Sequence, residues 1–205
     1  MGRIPVCHVP ASKMSNHLHA QKWYEREGIQ PIVIHRDGRD VMVSLYFWSK
    51  HSGGGGVRSL DNEYTGKNST VTTIKDEVDK MTFSGWLRSN TFVASSPELD
   101  DTPVTYWNKY TLEMIDFEAY HVTYEGLNTG LMDIDNPVLL GLEKELKLER
   151  LDGIKILTQH PHPSGPAHGP GIVGRWKEFF DEDDLGYFTR EASDAMTIID
   201  ERLQW

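Results

Sequence analysis

With 205 residues, 38% of them hydrophobic and six of them tryptophan, the chain is long enough for one domain with a sizeable core and too aromatic for the disordered class. Its formal net charge of −10 argues against nonspecific binding to nucleic acid or an anionic membrane, since both require an excess of Lys and Arg. A single cysteine (Cys7), an opening MGRIPVCHVP without an apolar signal core, and no apolar run near the ~20 residues of a membrane span together point to a cytoplasmic chain.

The first expected element is a short buried strand over 3–9 (RIPVCHV), closed by Pro10. A helix is expected over 17–27 with Gly28 as its stop, and a second β-branched strand over 31–35 (PIVIH). These three form a βαβ unit, whose strands should be parallel. Residues 40–50 carry Val41, Leu45, Phe47 and Trp48 and suit a helix with an apolar body. The stretch 51–72 holds four consecutive glycines, Gly53 to Gly56, and is expected to be a flexible insertion or lid. Helices follow over 73–87, from the spacing of Ile74, Val78 and Met81, and over 104–115, from Trp107, Tyr110 and Met114. Residues 119–124 (AYHVTY) give the third strand, 137–148 a helix with Pro137 just inside its start, and 160–171 a Pro/Gly/His loop. The last helix spans 181–203: Asp181 to Asp184 suit its positive end as a solvated start, and Leu185, Phe188, Ala192 and Ile199 form its stripe. The sum is a single α/β domain over 1–205, with few strands and many helices.

Chemistry concentrates in Ile32-Val33-Ile34-His35-Arg36-Asp37-Gly38-Arg39-Asp40-Val41-Met42-Val43-Ser44. A buried strand delivers Arg36 at its C-terminal end, where open α/β sheets bind ligands, and Ser44 lies early enough in the next helix to face the same spot. A guanidinium fork and a hydroxyl suit a phosphate. The residues alone equally allow an ordinary strand-turn-helix with a surface Arg and a helix-facing Ser.

The segment resembles the 3′-phosphate-binding motif of PAPS-dependent sulfotransferases, where an Arg ends a strand and a Ser follows eight residues later, within a pattern like RDPRDVAVSLY. Three further segments resemble the same family in the same order. Cys7-His8-Val9-Pro10 is similar to its THLP segment, Val122-Thr123-Tyr124-Glu125-Gly126-Leu127 to its Tyr-Glu-Asp-Leu strand end, and Gly171 to Phe180 (GIVGRWKEFF) to its RKGxxGDWKNxF motif. The resemblance implies a three-layer domain of the P-loop type, with a mostly parallel sheet flanked by helices. PAPS would be the sulfuryl donor, without a metal, and the acceptor a hydroxyl-bearing small molecule, glycan or lipid. It assigns His8 as general base, a role suited to a near-neutral imidazole, and Arg36 and Ser44 to the 3′-phosphate. Tyr124 would lie near the adenine, and Gly171 would let backbone N–H groups approach the phosphate. Judged as residues alone, His8 is better read as a hydrogen-bonded strand-terminus histidine, and Tyr124 is equally a core tyrosine. Trp176, Phe179 and Phe180 suit core anchoring.

The sequence departs from the family at several places. Gly126 replaces an Asp, and Gly169-Pro170 replaces an Arg-Lys pair, removing two cations from the phosphate clamp. Arg175 stands where the family has Asp and would offset part of that loss if it turned inward. Only seven residues precede His8, which leaves no room for the first strand and the Pro-Lys-x-Gly-Thr-Thr loop that cradles the 5′-phosphosulfate. The expectation is therefore a sulfotransferase domain lacking its first strand and phosphate loop. An exposed apolar edge near 3–9 and 31–35 would then favour self-association or a complementing N-terminal segment. The alternative is a non-catalytic binding module that retains the 3′-phosphate/adenine half-site. His160, His162 and His168 lie among Pro161, Pro163 and Pro166 without a Cys or a tight carboxylate pair, so no metal site is expected there.

Overall fold

Ile32–His35 is a β-branched tripeptide closed by a histidine, and it forms strand β1. The computed structural model describes residues 31–52, 78–89, 101–130, 135, 137–145, 147 and 172–203. β1 pairs in parallel with β2 (Tyr120–Thr123), in a register that sets Ile32 opposite Tyr120 and His35 opposite Thr123. Parallel strands cannot be joined by a tight turn, and here more than eighty residues connect them, helical in most of their described part. Among the described residues the sheet has these two strands. The expected strand over 3–9, the helix over 17–27, most of the glycine-rich stretch 51–72 and the 160–171 loop lie outside them.

Helix α1 (Gly38–Ser52) starts two residues after β1 ends. Asp37 caps it: its Oδ1 accepts the Arg39 N–H at 2.9 Å, and the first backbone bond runs from Val41 N to Asp37 O at 3.0 Å. Gly38 is required by packing, because a Cβ there would stand 2.6 Å from the Trp107 ring and 2.7 Å from Phe188. α1 buries Met42, Val43 and Tyr46 against α2 (Phe83–Leu87), α3 (Pro103–Ile115) and α6 (Glu182–Leu203).

The apolar spacing over 73–87 predicts one helix, yet the described part breaks at Met81–Thr82. Thr82 is extended (φ −69°, ψ 163°), and its hydroxyl accepts the Gly85 N–H, so a new helix, α2, begins there. α3 repeats this construction: Thr102 accepts the Thr105 N–H, and Pro103 fills the first helical position. α6 starts at a capping aspartate, Asp181, whose Oδ1 accepts the Asp184 N–H at 2.8 Å.

Asp184 itself departs from the solvated start expected of that acidic run. It is 1% exposed, accepts the Ser84 hydroxyl at 2.7 Å, and is paired with Arg88. A buried carboxylate is tolerable only when so paired, and this one ties α6 to α2.

The main core is aromatic. Phe83, Trp86, Trp107, Phe180 and Phe188 surround Met42 and Val43, with ring centroids mostly 5 to 6 Å apart in tilted or edge-on pairs. A second, smaller cluster of Val122, Leu127 and Leu142 joins β2 to α4 (Tyr124–Gly130) and α5 (Pro137–Glu145). α4 follows β2 without a loop, at residues where the sequence pattern predicts only a strand end. Thr123 makes the switch, its hydroxyl accepting the Gly126 N–H at 3.1 Å. No helix among the described residues is long and apolar enough to cross a membrane.

Candidate functional site

Three of the sequence-predicted residues meet at the C-terminal ends of the two strands. Arg36 follows β1, Tyr124 follows β2, and Ser44 faces both from the second turn of α1. The Arg36 Nη1 donates to Ser44 Oγ at 3.3 Å, and its guanidinium carbon lies 4.6 Å from the centre of the Tyr124 ring. A cation over an aromatic face is held in plane, which fixes the direction in which its donors point. The Arg36 Nη2 donates to the Ile172 carbonyl at 3.3 Å, so the segment following Gly171 reaches the same point from 136 residues away. Arg36 Nε is buried and has no acceptor among the described residues.

Carboxylates frame the cation. Asp40, 1% exposed, places Oδ2 3.9 Å from Arg36 Nη2. Its main bonds are to backbone: Oδ2 accepts the Gly174 N–H at 2.7 Å and Oδ1 the Trp176 N–H at 2.9 Å. Glu125, in the first turn of α4, accepts the Asp37 N–H at 3.1 Å and so joins the two strand ends. Burial raises the Glu125 carboxyl above the usual range, opposed by that backbone bond and the nearby Arg36. Arg39 is bound through two nitrogens to Asp37 and lies over the Trp176 ring at 4.0 Å.

The turn at Gly174 (φ +79°) leads into a short 3₁₀ helix, Arg175–Glu178. Arg175 does not join the contacts of Arg36. Its guanidinium lies over the rings of Phe47 and Phe179, at 4.9 and 5.4 Å. Phe180 is buried in the aromatic core, as its pattern suggests, whereas Trp176 is half-buried and works as the platform for Arg39.

A histidine pair that sequence reasoning passes over lies just before Arg36. His35 Nε2 is 2.8 Å from His121 Nδ1, the rings stack 5.1 Å apart, and His121 Nε2 is 2.9 Å from the Phe117 carbonyl. A carbonyl only accepts, so His121 carries its proton on Nε2 and its Nδ1 accepts from His35. Burial first, and the neighbouring His121 second, lower the His35 pKa from 6.5 to about 4. His35 is thus neutral at ordinary pH, directly before the arginine.

His8 and Gly171 lie outside the described residues, as do His160, His162 and His168. Among the described residues no group of three His, Cys, Asp or Glu side chains could hold a metal ion. A cleft of about 260 Å³ beside β2, lined by Tyr120, Thr123, Val138 and Arg202 among others, is separate from the Arg36 contacts. The arrangement at Arg36 can hold a phosphate-like anion: a fixed fork of donors, a hydroxyl open to solvent, and an aromatic face alongside. No protein-family model, characterised protein or solved structure matches this chain.

Proposed function

We propose that the chain is a sulfotransferase, or the larger part of one, that holds the 3′-phosphate of PAPS between Arg36 and Ser44 with the adenine beside Tyr124. The observation that carries this reading is the convergence of Arg36, Ser44, Tyr124 and Ile172 on one point. The Arg36 donors beside the Ser44 hydroxyl and the Tyr124 ring suit a phosphate next to a base, so the residues present fit the group. Arg36 and Ser44 would bind the anion, and the His35–His121 pair would keep the end of β1 in register behind Arg36. The Tyr124 ring, which carries Arg36 over one face, is the aromatic surface proposed to lie beside the adenine. When bound, PAPS supplies a sulfuryl group already activated by its phosphate linkage. His8 is the residue proposed to take the proton from the attacking hydroxyl of a small molecule, glycan or lipid.

Calorimetry with adenosine 3′,5′-bisphosphate tests the half-site. The wild type should bind, and Arg36→Ala should weaken binding by about tenfold to a hundredfold, the loss expected for hydrogen bonds to a charged group. Absence of binding, or equal binding by the variant, overturns the reading. Incubation with PAPS and a panel of hydroxyl acceptors, read by mass spectrometry, then separates a transferase from a module that binds the nucleotide without transferring sulfate.

A further inference from the structure

We infer that Asp40 is the positioning residue of this site: it fastens the Ile172–Trp176 turn to the first turn of α1, and firm anion binding by Arg36 depends on that fastening. The inference rests on the reading of Arg36 and Ser44 as an anion site, and names the residue that controls it. Asp40 is almost wholly buried, and a buried carboxylate persists only when its charge is met. Two short charge-assisted bonds meet it, at 2.7 Å from Gly174 N and 2.9 Å from Trp176 N. These N–H groups belong to the start of a 3₁₀ helix whose N-cap, Gly174, has no side chain to offer. A helix start needs acceptors, and Asp40 provides them from a separate element.

The same turn closes a circuit on Arg36. Its Ile172 carbonyl accepts Arg36 Nη2, and Asp40 Oδ2 stands 3.9 Å from that nitrogen. Anchored at both ends, the guanidinium keeps Nη1 directed at Ser44, and without the turn it would lose one of its two hydrogen-bonded supports. Arg39 reinforces the fastening by lying across Trp176.

Two roles for Asp40 predict opposite signs. As a mere counter-ion to Arg36 it repels an incoming anion, and its neutralisation would tighten binding. As the fastener of the turn it supports the site, and its neutralisation weakens binding. Asp40→Asn keeps the shape but removes the charge and one acceptor. It should weaken the affinity for adenosine 3′,5′-bisphosphate and for inorganic phosphate by about tenfold. Hydrogen exchange at the Gly174 and Trp176 amides should quicken in the ligand-free protein while the interior of α6 keeps its protection. Asp184→Asn is the control: Asp184 is equally buried, but its bonds go to Ser84 and Arg88, so it should lower stability and leave both readouts in place.

A second variant perturbs the fastening from its other side. Gly174 has φ +79° and nothing within 4 Å of a Cβ, so Gly174→Ala strains the turn without crowding any neighbour. It should weaken binding in the same direction, by roughly fivefold or less. Unchanged or tighter binding in Asp40→Asn, or unchanged exchange at both amides, overturns the inference. If Asp40→Asn does not fold, Gly174→Ala decides it by the same criteria. A wild type that binds neither probe refutes the proposed function instead, and exchange at the two amides still judges the fastening.

Discussion

Acidification should destabilise the protein through His35, because the folded chain refuses a proton that the unfolded chain accepts. His35 is 5% exposed, stacked on His121 and donating to it, and its pKa is lowered from 6.5 to about 4 by burial and then by that neighbour. Stability rises with pH wherever the unfolded state binds more protons. The contribution of a neutral His35 is therefore intact above about pH 6.5 and is lost progressively as the pH falls through about 4. At about pH 5 the unfolded histidine is almost fully protonated and the folded one almost fully neutral, a difference of about 2 kcal/mol. Urea unfolding followed by tryptophan fluorescence at about pH 7.5 and about pH 5 measures the loss. Other groups titrate over the same range, so the comparison is with His35→Gln. That side chain places an amide donor near the position of Nε2, keeps the bond to His121, and cannot ionise. The wild type should lose about 2 kcal/mol more than the variant across this interval. Equal losses, to within about 0.5 kcal/mol, would refute the view that a neutral His35 is built into the end of β1.

Two further perturbations probe the frame that carries the site. Gly38→Ala drives a Cβ to within 2.7 Å of two buried rings, so overpacking of about 1–3 kcal/mol should outweigh the small helix-propensity gain and lower the urea midpoint; an unchanged midpoint would show that Trp107 and Phe188 have room to yield. Thr102→Ala removes both the cap of α3 and the acceptor for the Tyr187 hydroxyl, at 2.9 Å, and should cost about 1–2 kcal/mol by the same assay; a loss below about 0.5 kcal/mol would mean that water replaces both bonds.

How far the sequence discloses this architecture depends on the range of the interaction that fixes each element. β1, α1, α3 and α6 are legible because local rules specify them: a β-branched run, a three-and-four spacing, a capping Thr or Asp with Pro behind it. The break at Met81–Thr82 is hidden because the apolar spacing runs through it, although Thr82 is itself a favoured N-cap residue type that the periodicity overrides. α4 is hidden for the same reason, since Thr123 closes a strand pattern and opens a helix at once.

At the site, the spacing of Arg36 and Ser44 is legible because both lie on one strand-turn-helix segment. The role of Asp40 is not. An acidic residue in a first helical turn is explained sufficiently by the helix dipole, and nothing near it in sequence announces partners 134 and 136 residues away. Asp184 repeats the case, with its partners about a hundred residues upstream, Ser84 in α2 and Arg88 at its C-terminal end. The histidine pair requires one thing more, the parallel register that sets Val33 opposite His121 and so brings His35 within reach of its ring. The histidine pair is thus placed by the sheet, Asp184 by the packing of α6 on α2, and the partners of Asp40 by the return of the chain at 172–176. That return is also where function is most exposed to test, since Arg36 and Ser44 need only their own segment to lie close together. Whether they hold an anion firmly depends on a turn that a single carboxylate fastens from the other side.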